Sequence, residues 1–100
     1  MTMAHFTNDH LFNCCTDYSE PKWGDFTALE LGGCRTEIDE TGDEFTIGCL
    51  QRDEAEFFTV YARDHEGLAE AITDIPKFFG GCLILAELSR LSGLPAYVVC

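Results

Sequence analysis

The chain has 100 residues, 46% of them hydrophobic, including eight Phe, three Tyr and one Trp. That length and that apolar content indicate one domain with one core and exclude a disordered acidic tail. Eighteen acids against six Lys and Arg leave a formal net charge of −12. This argues against binding free nucleic acid or an anionic membrane, which both need clustered bases, and points to a basic partner surface.

In chain order, residues 1–23 are the least patterned part and read as a loosely docked N-terminal arm. Thr7-Asn8-Asp9 can cap a short helical turn, Ser19-Glu20-Pro21 reads as a turn, and Tyr18 and Trp23 are placed to pin the arm. Residues 26–74 read as a β-meander. Its first strand, 26–31, is ended by Gly32-Gly33, and a weaker one covers 34–38. Thr41-Gly42-Asp43 is a turn, and in 44–51 Phe45, Ile47 and Cys49 alternate to one face. Residues 52–56 form a charged turn. The strongest strand is 57–63, with Phe58, Val60 and Ala62 on one face. A Gly-containing turn at 64–67 leads to 68–73, a returning strand or a short helix.

Asp74 as N-cap and Pro76 in the first turn open a helix over 75–92, and Gly93 with Pro95 stops it. Residues 96–99 read as a last buried strand. The expected architecture is α+β: an antiparallel sheet of four to six strands, one long helix on a face, and a final strand. The helix is apolar nearly all round, and Gly80 and Gly81 lower its propensity while permitting close backbone approach. Two readings stand: the arm covers its second side, or Phe79, Gly80 and Leu83 form a homodimer surface.

The candidate partner-binding residues are the acids of the turns: Glu37, Asp39, Glu40, Asp43, Glu44, Asp53, Glu54, Glu56, Asp64 and Glu66, with Arg52 the one base between residues 37 and 56. The turns at 39–44 and 52–56 lie at the two ends of one strand, roughly 25 Å apart at about 3.3 Å per residue. Phosphates recur about every 3.4 Å along a DNA strand, so two acidic clusters at that separation imitate phosphates roughly seven steps apart. In a meander, Asp64 and Glu66 would join the 39–44 cluster. Against this stands the plain alternative that acidic turns only keep the protein soluble.

Other chemistry finds less support. No Cys-x-x-Cys pair occurs, and no His stands at metal-ligand spacing from a Cys; a zinc site from His10, Cys14 and Cys34 is conceivable but has no motif behind it. Negative surroundings disfavour a thiolate nucleophile, and exposed turn carboxylates lack the desolvation that tunes an acid/base pair. The expectation is a protein that is not an enzyme and has no cofactor and no metal. Residues 1–12 carry no basic start and no apolar run, and the stretch around 82–86 is too short to span a bilayer. The cytoplasm, with six reduced cysteines, is therefore expected.

In size, charge and compactness, with runs such as Glu37-Ile38-Asp39-Glu40 and Asp53-Glu54-Ala55-Glu56, the chain resembles the small acidic inhibitors of phages and mobile elements, the DNA-mimicking anti-CRISPR and anti-restriction proteins among them. The resemblance implies a partner in the DNA-binding surface of a CRISPR surveillance complex or a restriction enzyme, blocked by mimicry, sterically or by locking a conformation. The second reading is a small homodimeric interaction module whose acids only solubilise it.

Overall fold

A computed structural model describes residues 6–100. Short helix α1 (Asn8–Leu11) is followed by strands β1 (Phe26–Ile38), β2 (Glu44–Leu50), β3 (Phe57–Asp64) and β4 (Ala69–Ile75), helix α2 (Phe78–Ser92) and strand β5 (Ala96–Val98). The class is α+β, as expected. The sheet runs β2-β1-β3-β4 with antiparallel neighbours, and β5 adds to β1 in parallel.

Two departures from the expected meander share one cause. Gly32-Gly33 do not end a strand; β1 runs through them for 13 residues. And β1 lies between β2 and β3, so the chain must cross β1 to pass from one to the other. It crosses at Gly33. A Cβ there would lie 2.7 Å from the Leu50 carbonyl oxygen and 3.0 Å from the Ala55 Cβ. Gly33 makes room for a crossing segment, the connection through the 3₁₀ turn Arg52–Glu54, while Gly32 faces the Tyr61 ring.

Leu29 and Leu31 of β1 stand beside Ala62 and Val60 of β3 on the face that α2 covers, and all four are fully buried. Ile84, Leu85 and Leu88 close the core from the helix side. Gly81 sets the depth of the helix: a Cβ there would lie 3.0 Å from Leu31 Cδ1. Gly80 faces Ile75 at 3.3 Å, so it belongs to the helix–sheet contact and not to the outer surface proposed from sequence.

The helix starts at Phe78, three residues after the expected start. Ile75 pairs with Phe58 and is buried, which keeps the chain extended to that point, and Pro76 then ends the strand. Asp74 is therefore a strand residue that accepts the Thr59 hydroxyl at 2.6 Å, while Lys77 takes the N-cap position with no side-chain cap. Gly93 adopts φ 75° and its N–H donates to the Ser89 carbonyl, the expected left-handed stop.

The arm, described from Phe6 onward (residues 1–5 of the expected arm lie outside the described residues), packs more closely than its composition suggests. Leu11 and Phe12 are buried in the core. The Cys14 N–H donates to the Ile72 carbonyl, and Asn13 both donates to the Asp74 carbonyl and accepts its N–H. The arm thus covers the outer edge of β4, an edge that would otherwise offer unpaired backbone groups.

Candidate functional site

The pairing of β1 creates the most prominent feature of the surface. Its contact with β3 ends at Cys34–Phe57, whereas its contact with β2 continues through Ile38–Glu44. Residues 35–47 therefore project beyond the three-stranded part of the sheet as a two-stranded hairpin. The molecule is correspondingly elongated, 47 × 35 × 26 Å. Arg35, Glu37, Phe45 and Ile47 share one face of the hairpin, and Thr36, Ile38, Glu44 and Thr46 the other. Ile38 and Phe45 stay 65% and 47% exposed, which leaves an apolar residue on each face beside the acids of the tip.

The hairpin's geometry comes from its own side chains. Asp39 Oδ1 accepts the Thr41 hydroxyl at 2.6 Å, the Thr41 N–H at 2.9 Å and the Asp43 N–H at 3.0 Å. The Thr41 hydroxyl, then the Asp43 amide, hold this carboxyl below the usual carboxylate range. At the base, Glu56 Oε1 accepts the Thr36 N–H at 3.0 Å, taking over the edge of β1 just where β3 stops. The tip's order should therefore persist at any pH above the usual carboxylate range and be lost only as pH falls through the lowered value of Asp39. Asp39→Ala should speed amide hydrogen exchange at Thr41 and Asp43 several-fold while leaving the core amides unchanged, as NMR exchange at neutral pH would show.

The ten acids singled out from sequence separate into two kinds. Glu37 pairs with Arg35, and Asp39, Glu56 and Asp64 accept backbone N–H groups, Asp64 from Glu66 and Leu68. Asp43 accepts only the Thr41 hydroxyl, at 3.2 Å. Glu40, Glu44, Asp53, Glu54 and Glu66 are exposed and make no side-chain hydrogen bond or ion pair among the described residues. Glu37 and Glu56 lie along the hairpin and at its base, and the other eight acids are placed in three groups, not the two of a meander. Asp39, Glu40, Asp43 and Glu44 form the tip. Asp53 and Glu54 sit at the crossing turn, about 20 Å away along β2. Asp64 and Glu66 do not join the tip: Asp64 pairs with Phe26, at the opposite end of β1, about 40 Å from the hairpin loop.

The arginines leave the tip uninterrupted. Arg63 pairs with Glu30 and Arg90 with Glu87, and Arg52 lies 3.7 Å above the Phe78 ring while donating to the Cys100 carbonyl. Among the described residues, no three His, Cys, Asp or Glu side chains converge at metal-binding distance. Partial burial and the neighbouring Asp74 carboxylate push the Cys14 thiol up to about 12, which leaves it protonated at neutral pH. Cys34 is buried on the face away from α2, 3.1 Å from the Tyr61 hydroxyl and 3.3 Å from that of Thr59. No helix among the described residues is long and apolar enough to cross a membrane.

Phe79 and Leu83, expected at the outer surface of the helix, are 73% and 45% exposed. The described part of the arm lies along β4 and leaves them uncovered. Comparison of the chain with family models, with curated proteins and with solved structures finds no match.

Proposed function

We propose that the chain is a non-enzymatic inhibitor that docks on a basic, nucleic-acid-binding surface of a bacterial defence complex, a CRISPR surveillance complex or a restriction enzyme. The observation that carries this reading is the projecting hairpin with Glu40, Asp43 and Glu44 at its tip. A two-stranded hairpin outside the core adds little to stability, so an acid-tipped one is better accounted for as a contact element. Its shape suits a groove lined with Lys and Arg, and its exposed Phe45 and Ile38 supply apolar contact once the acids have steered the encounter. Asp53 and Glu54 offer a second point of charge about 20 Å away, roughly six phosphate steps along a DNA strand.

The test follows from the division of labour among the acids. Asp39 is left intact because it holds the loop, and Glu40→Gln, Asp43→Asn and Glu44→Gln are combined. Each screened surface pair contributes up to about 1 kcal/mol, so the triple variant should bind its target about ten-fold more weakly or worse. Wild-type binding should also fall steeply between 0.05 and 0.5 M salt. Affinity capture from bacterial lysate, with the captured nucleic-acid-handling proteins quantified by mass spectrometry, reads both effects. Equal capture by both forms at both salt concentrations would remove the hairpin from the binding site.

The exposure of Phe79 and Leu83 favours a second reading, an interaction module that uses the helix while the acids keep it soluble. Binding through the helix would be insensitive to the hairpin substitutions and to salt.

A further inference from the structure

The charge is unevenly divided along the chain. Residues 75–100 contain Lys77, Arg90 and a single acid, Glu87, for a net charge of +1. The preceding 74 residues hold the other 17 acids and four bases, net −13. The near-neutral part folds as α2 and β5, and α2 covers one face of the sheet. Its inner side is filled by Gly81, Ile84, Leu85 and Leu88, while Phe79, Leu83 and Ala86 form an exposed stripe at helical spacing. The one acid on α2, Glu87, is next to this stripe and is paired with Arg90.

From this we infer that the outer face of α2 is a self-association surface, occupied by the same face of a second copy. A partner with a basic surface would gain least from this part of the molecule, and an anionic membrane would be repelled by the chain as a whole. Two copies of a chain of charge −12, in contrast, can meet only where acids are absent or paired, and this face, whose one acid is Glu87 in its pair with Arg90, meets that condition. A two-fold pairing is isologous. With two antiparallel α2 helices crossing at Leu83, Phe79 of each copy lies over the segment from Ala86 to Arg90 of the other. The charges there are already matched, because Arg90 Nε donates to Glu87 Oε1 at 2.6 Å. The flat Arg90 guanidinium can then stack on the Phe79 ring of the second copy, as Arg52 stacks on Phe78 within one chain. A helix of 15 residues is about 22 Å long. One such face lies below the roughly 800 Å² per partner of a standard interface, which places the dimer among the small, reversible ones.

This inference is independent of the acidic hairpin, and the two respond oppositely to salt. Screening weakens attraction to a basic partner, but it relieves repulsion between two acidic copies, so the dimer should tighten as salt rises. The experiment is sedimentation equilibrium of the purified chain from about 5 to 500 µM, at low and high salt. The wild type is expected to approach twice the chain mass, sooner at high salt. Phe79→Glu and Leu83→Glu should each raise the dissociation constant roughly thirty-fold or more. Both positions are exposed, so unchanged circular dichroism should show that the variants fold. A wild type that stays monomeric throughout, or a dimer that survives both substitutions, overturns the proposal. A wild-type monomer that dimerises only after removal of residues 1–5 also overturns it, by assigning the face to the chain's own N-terminus.

Discussion

Leu31→Ala is expected to lower stability by about 4 kcal/mol, at the upper end of the range for truncating a buried leucine. For a chain of this size that corresponds to a fall in Tm of roughly 15–30 °C. Leu31 is fully buried beside Val60, and its Cδ atoms fill the space that the absent Cβ of Gly81 leaves beneath the helix. The cavity would open beneath Gly81, where α2 rests on the sheet, and neither the helix backbone nor the strand backbone readily collapses into it. Thermal and urea unfolding followed by circular dichroism measure the effect. A loss below about 1 kcal/mol, the scale of an ordinary surface change, would mean that the helix is not seated on Leu31.

Gly33→Ala is the second large effect, with an expected cost of about 3 kcal/mol, the upper end for overpacking. The added methyl group would meet the Leu50 carbonyl oxygen at 2.7 Å and the Gln51 carbonyl oxygen at 3.4 Å, both backbone atoms with no rotamer to change. To accommodate it, the crossing segment must lift from β1, and the end of β2 moves with it. The same substitution should therefore disturb the aim of the hairpin and reduce partner binding beyond the loss of folded protein. Gly24→Ala is the matched control, since nothing lies within 4 Å of the Cβ it would add. Equal unfolding midpoints for the two variants would mean that the chain does not cross β1 at Gly33.

The α+β class and most of its elements were legible because they rest on local pattern. The alternation of Phe58, Val60 and Ala62, the stop at Gly93 and the turn glycines at 42 and 67 each write a structure in a few adjacent residues. The path of the chain between β2 and β3 was not legible. Gly32-Gly33 look the same in sequence whether they end a strand or make room for a crossing segment, and the difference depends on residues 50–55 arriving from elsewhere. Asp74 has the chemistry of an N-cap, yet the burial of Ile75 opposite Phe58 extends the strand past it. For the candidate site, the placing of acids in exposed turns was readable from composition and turn chemistry. Their separation into loop-holding and unengaged carboxylates was not, because the partners of Asp39, Glu56 and Asp64 are backbone N–H groups whose directions exist only once the turns have formed. The projection of the hairpin was hidden too, since it depends on β3 ending at Phe57 while β2 continues.

The most direct test of the acid-tipped hairpin as a contact for a nucleic-acid-binding surface is competition. Duplex DNA is titrated into the complex between the chain and its captured target, at fixed salt, and release of the chain is followed by fluorescence anisotropy. The account predicts that DNA and chain exclude one another, and that the Glu40→Gln, Asp43→Asn, Glu44→Gln variant is displaced at about ten-fold lower DNA concentration than the wild type. A ternary complex in which DNA binds without releasing the chain, or identical displacement curves for the two forms, would contradict it.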